Sequence, residues 1–143
     1  MLRRLSPKSQ RIIDDAQIIA RRYEQEYVDT EHVLLAIAEK NDNRATKALH
    51  QCGASARKIR KNVEKVAKQH PETFVLGRLP ATLHFRNVIA RAVEIAEKQG
   101  ASAVEPEHLL LSLTQEGDSL ATRALQDLGV DTAKVEEMLA GKK

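Results

Sequence analysis

The chain has 143 residues, a formal net charge of +3 and one cysteine, Cys52. A lone cysteine excludes an internal disulfide and a cysteine-based zinc site. With 3% aromatic residues and no Trp, the core must be built from Ile, Leu, Val and Ala. No apolar run approaches the roughly 20 residues of a membrane span, and Arg3 and Arg4 lead into no apolar signal segment, so a soluble, cytoplasmic protein is expected. Charge is uneven. Residues 1–76 carry 15 Lys/Arg and 10 Asp/Glu, and residues 77–143 carry 8 and 10, which makes the first half the expected surface for an acidic partner.

The first helix is predicted to start at Ser6, a good N-cap, with Pro7 in the first turn where its missing N–H costs nothing. Ile12, Ile13, Ala16, Ile19, Ala20 and Tyr23 then recur at helical spacing, and the helix should fray near Glu24 to Tyr27. A second helix enters through Asp29-Thr30-Glu31-His32, with Val33, Leu34, Leu35 and Ile37 as its buried side, and Asn41-Asp42-Asn43 breaks it. A short third helix over about 43–52 stops at Gly53. The fourth, about 55–69, turns Ile59, Val63, Val66 and Ala67 inward and covers itself with Arg57, Lys58, Arg60, Lys61, Lys65 and Lys68. Residues 70–80 hold two prolines and a glycine, which rule out a continuous helix, while Phe74, Val75, Leu76 and Leu79 predict a connector packed across the domain. Four more helices are expected: Thr82 to about Gln99 with Gly100 as its stop, then about 106–116, 118–128 and 131–140.

The second set repeats the first. Shifted by 76 positions the chain aligns with itself without a gap: Ile13 meets Ile89, Ala16 meets Ala92, Ala45-Thr46 meets Ala121-Thr122, and Gly53 meets Gly129. About sixteen identities fall in roughly 58 positions, the signature of a duplicated unit. A unit of about 65 residues is marginal alone, so one all-α domain over 1–143 is expected: repeat 1 at about 5–69, connector 70–80, repeat 2 at about 81–140, packed with pseudo-twofold symmetry. Cys52 aligns with Leu128 and reads as a small buried hydrophobe.

The best-kept piece is Tyr27-Val28-Asp29-Thr30-Glu31-His32-Val33-Leu34-Leu35, repeated as Ala103-Val104-Glu105-Pro106-Glu107-His108-Leu109-Leu110-Leu111. Pro106 fixes the register, because proline favours the first helical turn. Asp29 and Glu105 then fall at the N-caps. Glu31 and Glu107 lie in first turns, where a carboxylate faces unpaired N–H groups and the positive helix end. They either steady those helices or meet a ligand. His32 and His108 lack a second histidine one turn on, so metal ligation is not expected, and local hydrogen bonding at the helix start is. No nucleophile accompanies them, and no catalytic residue, metal or cofactor is expected.

A capped first helix, then Tyr-Val-x-Thr-Glu-His-x-Leu-Leu, then Ala45-Thr46-Lys47-Ala48-Leu49, all in two copies, resembles the N-terminal domain of the Clp/Hsp100 AAA+ unfoldases, the ClpA and ClpC branch above all. The resemblance runs from about Leu5 to Leu139. It implies a non-enzymatic module that receives substrates and docks adaptor proteins for an ATP-dependent chaperone or protease. It further implies that Glu31 and Glu107 contact phosphorylated arginine or a basic peptide, with Asp29, Thr30, His32, Glu105, Pro106 and His108 supporting the helix starts. Asp29 and Glu105 stand where the family has glycine. An extra carboxylate there repels a phosphate and attracts an unmodified basic side chain. No Gly-x-x-x-x-Gly-Lys-Ser/Thr occurs, so the chain itself binds no ATP in the P-loop manner. It reads as part of a longer unfoldase or as a free-standing accessory factor. The alternative is a basic helical nucleic-acid-binding protein, resting on Arg57, Lys61, Lys65 and Lys68 along one side of the fourth helix, interrupted by Glu64.

Overall fold

Ser6 opens the first helix by accepting the Ser9 N–H at 3.2 Å on its hydroxyl, and Thr82 does the same for Phe85 at 3.2 Å. In the computed structural model, which describes residues 5–68 and 78–140, these caps start α1 (Pro7–Arg22) and α5 (Leu83–Lys98). The remaining elements are α2 (Thr30–Ala38), α3 (Arg44–Gln51), α4 (Ala56–Lys68), α6 (Pro106–Gln115), α7 (Leu120–Asp127) and α8 (Thr132–Ala140). Each helix of the second repeat begins 76 positions after its partner in the first. The predicted boundaries hold to within two residues. Phe74, Val75 and Leu76 of the connector lie outside the described residues. Leu79 is buried and tied to Gln17 by a reciprocal pair of 3.0 Å hydrogen bonds.

The repeats meet through exchanged contacts. α3 packs on α6 as α7 packs on α2, α3 on α8 as α7 on α4, and α1 on α6 as α5 on α2. The chain entering α1 bridges Leu5 to Val104, and the chain entering α5 bridges Ala81 to Val28. The Ser6 N–H donates to Val104 O at 3.0 Å and the Thr82 N–H to Val28 O at 3.1 Å. This is the self-complementary pattern of a twofold interface, made inside one chain. Those two isolated bridges are the only extended pairing among the described residues.

α2 lies at the centre. The sequence predicts one buried side, but every residue from Thr30 to Ala38 is buried, because α2 packs on α1, α3, α4, α5, α6 and α7. A nine-residue helix covered on all sides shows no amphipathic stripe. Val66 and Ala67, expected on the inner face of α4, are only partly buried. Cys52, expected to be a small buried hydrophobe, packs against the core half-buried, as its match Leu128 does: it caps the end of α3 with its thiol 3.5 Å from Met138 Sδ.

Four helices end in the same hydrogen-bonded turn, in two symmetric pairs. Gln25 N bonds to Ala20 O and Ala101 N to Ala96 O, each at 2.9 Å; Ala54 N to Leu49 O and Val130 N to Leu125 O are also 2.9 Å. This closure requires a left-handed residue. Gly100, Gly53 and Gly129 fill it with φ of 71°, 91° and 73°, whereas the first helix uses Glu24 at φ 57°.

Candidate functional site

The two Glu-His segments enter α2 and α6 with the same histidine bond, while the N-cap side chain bonds only in the first. Asp29 accepts the Thr30 N–H on Oδ1 at 2.7 Å, and His32 Nδ1 accepts the Asp29 N–H at 2.9 Å. In the second repeat Pro106 takes the first helical position and His108 Nδ1 accepts the Glu105 N–H at 2.8 Å. The imidazole thus replaces the Glu or Gln that usually completes a capping box. An accepting Nδ1 carries no proton, so each ring is neutral with its hydrogen on Nε2. Burial pushes His32 down to about 4 against the pull of Asp29, and lowers His108 against the pull of Glu107 and Glu105. Among the described residues no group of three or more His, Cys, Asp and Glu could hold a metal ion.

Beyond the caps the copies diverge. His108 Nε2 donates to Gln99 Oε1 at 3.0 Å. The position equivalent to Gln99 is Tyr23, whose hydroxyl donates to Glu64 Oε2 at 3.4 Å instead. His32 Nε2 is left without a hydrogen-bond partner, 3.7 Å from Glu31 Oε2. Glu107 Oε2 lies 3.5 Å from Arg44 Nη1, and Arg44 Nη2 donates to Leu139 O at 3.0 Å. The position equivalent to Arg44 is Leu120, so Glu31 meets no such guanidinium. Glu31 is 2% exposed and its Oε1 has no hydrogen-bond partner. Burial, reinforced by the charge of Asp29, pushes Glu31 up to about 8. Burial thus favours its protonated form more than at an exposed glutamate in a first helical turn.

A cavity of about 280 Å³ opens beside Glu31 and His32, with Tyr27, Asp29, Thr82 and Leu120 among its walls. That volume lies at the lower end of small-molecule pockets, which start at roughly 300 Å³, and suits one side chain. Both repeats build it. Thr82 Oγ1, already the cap of α5, donates to Asp29 Oδ1 at 2.7 Å. Thr30 Oγ1 accepts the Ala121 N–H at 3.0 Å, a bond that Pro106 has no hydroxyl to repeat. Of the residues expected at the site, Glu31, His32, Asp29 and Thr30 are brought together with Thr82 and Leu120. Glu107, His108, Glu105 and Pro106 form a separate, internally bonded cluster around Arg44. Arg44, Thr82 and Leu120 carry no motif of their own. The signal for them is the self-alignment, in which Arg44 faces Leu120 and Tyr23 faces Gln99.

This is an all-helical double-repeat domain whose repeats share one interface and have diverged at their helix-start sites. A family model, the Clp repeat (R) N-terminal domain, matches residues 4–128 and 80–142, and the chain belongs to that family. It is 32% identical over 143 residues to the Bacillus subtilis negative regulator of genetic competence ClpC/MecB, covering 97% of this chain and 17% of that protein. It is 33% identical over 135 residues to the Guillardia theta ClpA homolog, an ATP-dependent Clp protease ATP-binding subunit, covering 94% of this chain and 16% of that protein. The chain thus spans about a sixth of these relatives' length. The fold matches the N-terminal domain of the chaperone ClpD from Arabidopsis thaliana with a TM-score of 0.81 at 20% identity, over 96% of this chain and 92% of that one.

Proposed function

We propose that the chain is a non-enzymatic module that binds substrate polypeptides or adaptor proteins for an ATP-dependent Clp chaperone or protease, acting as one unit over both repeats. The observation that carries this reading is the cavity beside Glu31, a side-chain-sized space with Tyr27, Asp29, Glu31, His32 and Leu120 among its walls. Behind that wall Glu31 Oε1 and His32 Nε2 have no hydrogen-bond partner, and an unpartnered buried polar atom costs about 1–3 kcal/mol, so this corner of the fold is not optimised for stability alone. In this reading Glu31 contacts a basic or phosphoarginine-like side chain, Glu107 marks the related second site, and Asp29, Thr30, His32, Glu105, Pro106 and His108 hold the two helix starts. Its partners are Clp unfoldase subunits, adaptors or substrate segments, and the ATP-driven step belongs to the partner. Family membership supports the interaction role, since the similarity lies in the N-terminal region of the relatives.

The test is a chimera. The N-terminal region of the Guillardia theta ClpA homolog is replaced by this chain, and ATP-dependent degradation of an unfolded reporter is compared with the same protein lacking any N-terminal domain. Degradation faster than in the truncated protein, and slowed by Glu31→Ala, is expected. A chimera no better than the truncation would sink the proposal.

A further inference from the structure

The outer face of α4 carries four exposed cations, Arg57, Lys58, Lys61 and Lys65. Helical geometry gathers them within about 100° of one another, opposite the buried Ile59 and Val63. Among the described residues none of the four side chains makes an ion pair or a hydrogen bond. Arg60, at the edge of this face, does find an acid and meets Glu39 at 3.4 Å. Glu64, on the same side, accepts from the Tyr23 hydroxyl at 3.4 Å. Arg57 and Lys61, and Lys61 and Lys65, are like charges one turn apart, an arrangement that weakens a helix. The fold does not require it. The equivalent helix α8 keeps the inner face, with Val135 and Leu139 buried where α4 has Ile59 and Val63. On its outer face Ala133, Lys134 and Glu137 stand where α4 has Arg57, Lys58 and Lys61.

We infer that the outer face of α4 is a docking surface for an acidic polypeptide segment, a run rich in Asp and Glu. It is a different surface from the Glu31 cavity, whose wall on α4 is Val66. Charge complementarity selects the partner. Arg57, Lys61 and Lys65 recur about every 6 Å along the axis. Carboxylates on alternate residues of an extended chain recur about every 6.5 Å, so an acidic run meets the three cations in register. The positive field is short. The four charges exceed the formal +3 of the whole chain, so the remainder is slightly acidic. Arg57 to Lys65 covers about 12 Å, and Glu39, Glu64 and Asp127 border it. A DNA duplex would run past the cations onto acidic surface, and α4 has no aromatic residue on which a base could stack. A second copy of the chain is matched poorly too, since the equivalent face of α8 sets Glu137 beside Lys134.

An NMR titration of the whole chain at physiological salt tests this. The probes are hexaglutamate, its neutral counterpart hexaglutamine, and a short DNA duplex. The amides of Arg57, Lys61 and Lys65 are followed beside those of Ala133, Lys134 and Glu137. Hexaglutamate is expected to move the α4 group saturably and to leave the α8 group in place, and hexaglutamine to move neither. Lys61→Gln combined with Lys65→Gln should weaken hexaglutamate binding about tenfold, as the loss of two exposed charge pairs implies. Lys134→Gln should leave it unchanged. Arg57→Gln alone, with an expected loss of about threefold, keeps the test open if the double variant does not fold. A duplex bound through the same amides more tightly than hexaglutamate overturns the inference in favour of nucleic acid. Amides of α4 that shift with protein concentration alone overturn it in favour of a second copy. No saturable response to hexaglutamate, or one that the Gln variants leave unchanged, overturns it outright. None of these outcomes bears on the Glu31 cavity, which the degradation chimera tests.

Discussion

Arg44 and Leu120 occupy equivalent positions 76 residues apart, and one closes its site while the other leaves it open: Arg44 Nη1 sits 3.5 Å from Glu107, whereas Leu120 walls the cavity beside Glu31. The Arg44 pair is partly exposed, with side chains 42% and 20% accessible, so solvent screens it and its coupling should be about 1 kcal/mol or less. A double-mutant cycle of Arg44→Ala and Glu107→Ala by chemical denaturation measures that coupling. A value above about 3 kcal/mol, the range of sealed pairs, would mean that Arg44 holds the fold together and that its seat on Glu107 is structural first.

Glu31 makes stability depend on pH in an unusual direction. Its folded pKa is raised to about 8 from 4.5, so the folded state holds a proton that the unfolded chain has released. Stability is therefore complete below about pH 4.5 and is lost as pH rises toward 8. His32, lowered to about 4 from 6.5, acts oppositely: its contribution is present above pH 6.5 and lost as pH falls toward 4. The two slopes oppose each other at mildly acid pH and Glu31 dominates above pH 6.5. There stability should fall with pH by at most about 1.4 kcal/mol per unit, and the melting temperature with it. Glu31→Gln, a neutral isostere, should flatten that limb. Among the described residues, the other titratable groups lining the cavity are Glu26, Tyr27, Asp29 and His32. In the proposed reading a bound basic side chain would favour ionised Glu31, so the affinity for a basic peptide should strengthen from pH 6.5 to 8.

The duplication, eight helices and both capped entries were legible because they rest on local chemistry: Ser6 and Thr82 as caps, Pro106 in the first turn, Gly100 as a stop. Two things were not. Burial of α2 on every face depends on which helices surround it, and a nine-residue apolar segment reads the same when half-covered. The unequal fate of Glu31 and Glu107 depends on Arg44 and Leu120, which reach those helix starts from the opposite repeat. The motif itself is identical at the glutamate. Only the tertiary fold says what stands opposite.

Glu24 should be a point of stored strain. It holds φ 57° in a turn that Gly100 fills in the second repeat, and a left-handed non-glycine residue costs about 1–2 kcal/mol. Glycine also loses more chain entropy on folding, which offsets part of the gain. Glu24→Gly is therefore expected to stabilise by about 0.5–1 kcal/mol, and Gly100→Ala to destabilise by about 1 kcal/mol or more. Denaturation midpoints of both variants check the pair. A destabilising Glu24→Gly would show that the Glu24 side chain makes a contribution larger than its backbone strain.

The repeats also place opposite charges at one symmetric position. In the first, Lys40 on the loop after α2 pairs with Asp15 of α1; in the second, Glu116 after α6 meets Arg91 of α5 at 2.9 Å. Only the second is sealed: the Glu116 side chain is 6% exposed and also takes His84 Nδ1 at 2.6 Å and Asn87 Nδ2 at 3.1 Å. Burial alone would raise its pKa, but the hydrogen bonds from His84, Asn87 and Arg91, with the Arg91 charge, outweigh burial and lower it. A depressed carboxyl contributes stability above its unfolded pKa and loses it as pH falls through the folded value. Glu116→Gln should therefore cost stability at pH 7, by about 1–3 kcal/mol, and cost progressively less below pH 4.5. That window lies below the one where His32 acts, so Glu31→Gln and Glu116→Gln should alter opposite limbs of the melting curve against pH. At the first-repeat position Lys40 and Asp15 are 27% and 37% exposed, and Lys40→Ala should cost about 1 kcal/mol or less. Equal losses for Lys40→Ala and Glu116→Gln at pH 7 would mean that the additional donors at Glu116 add nothing.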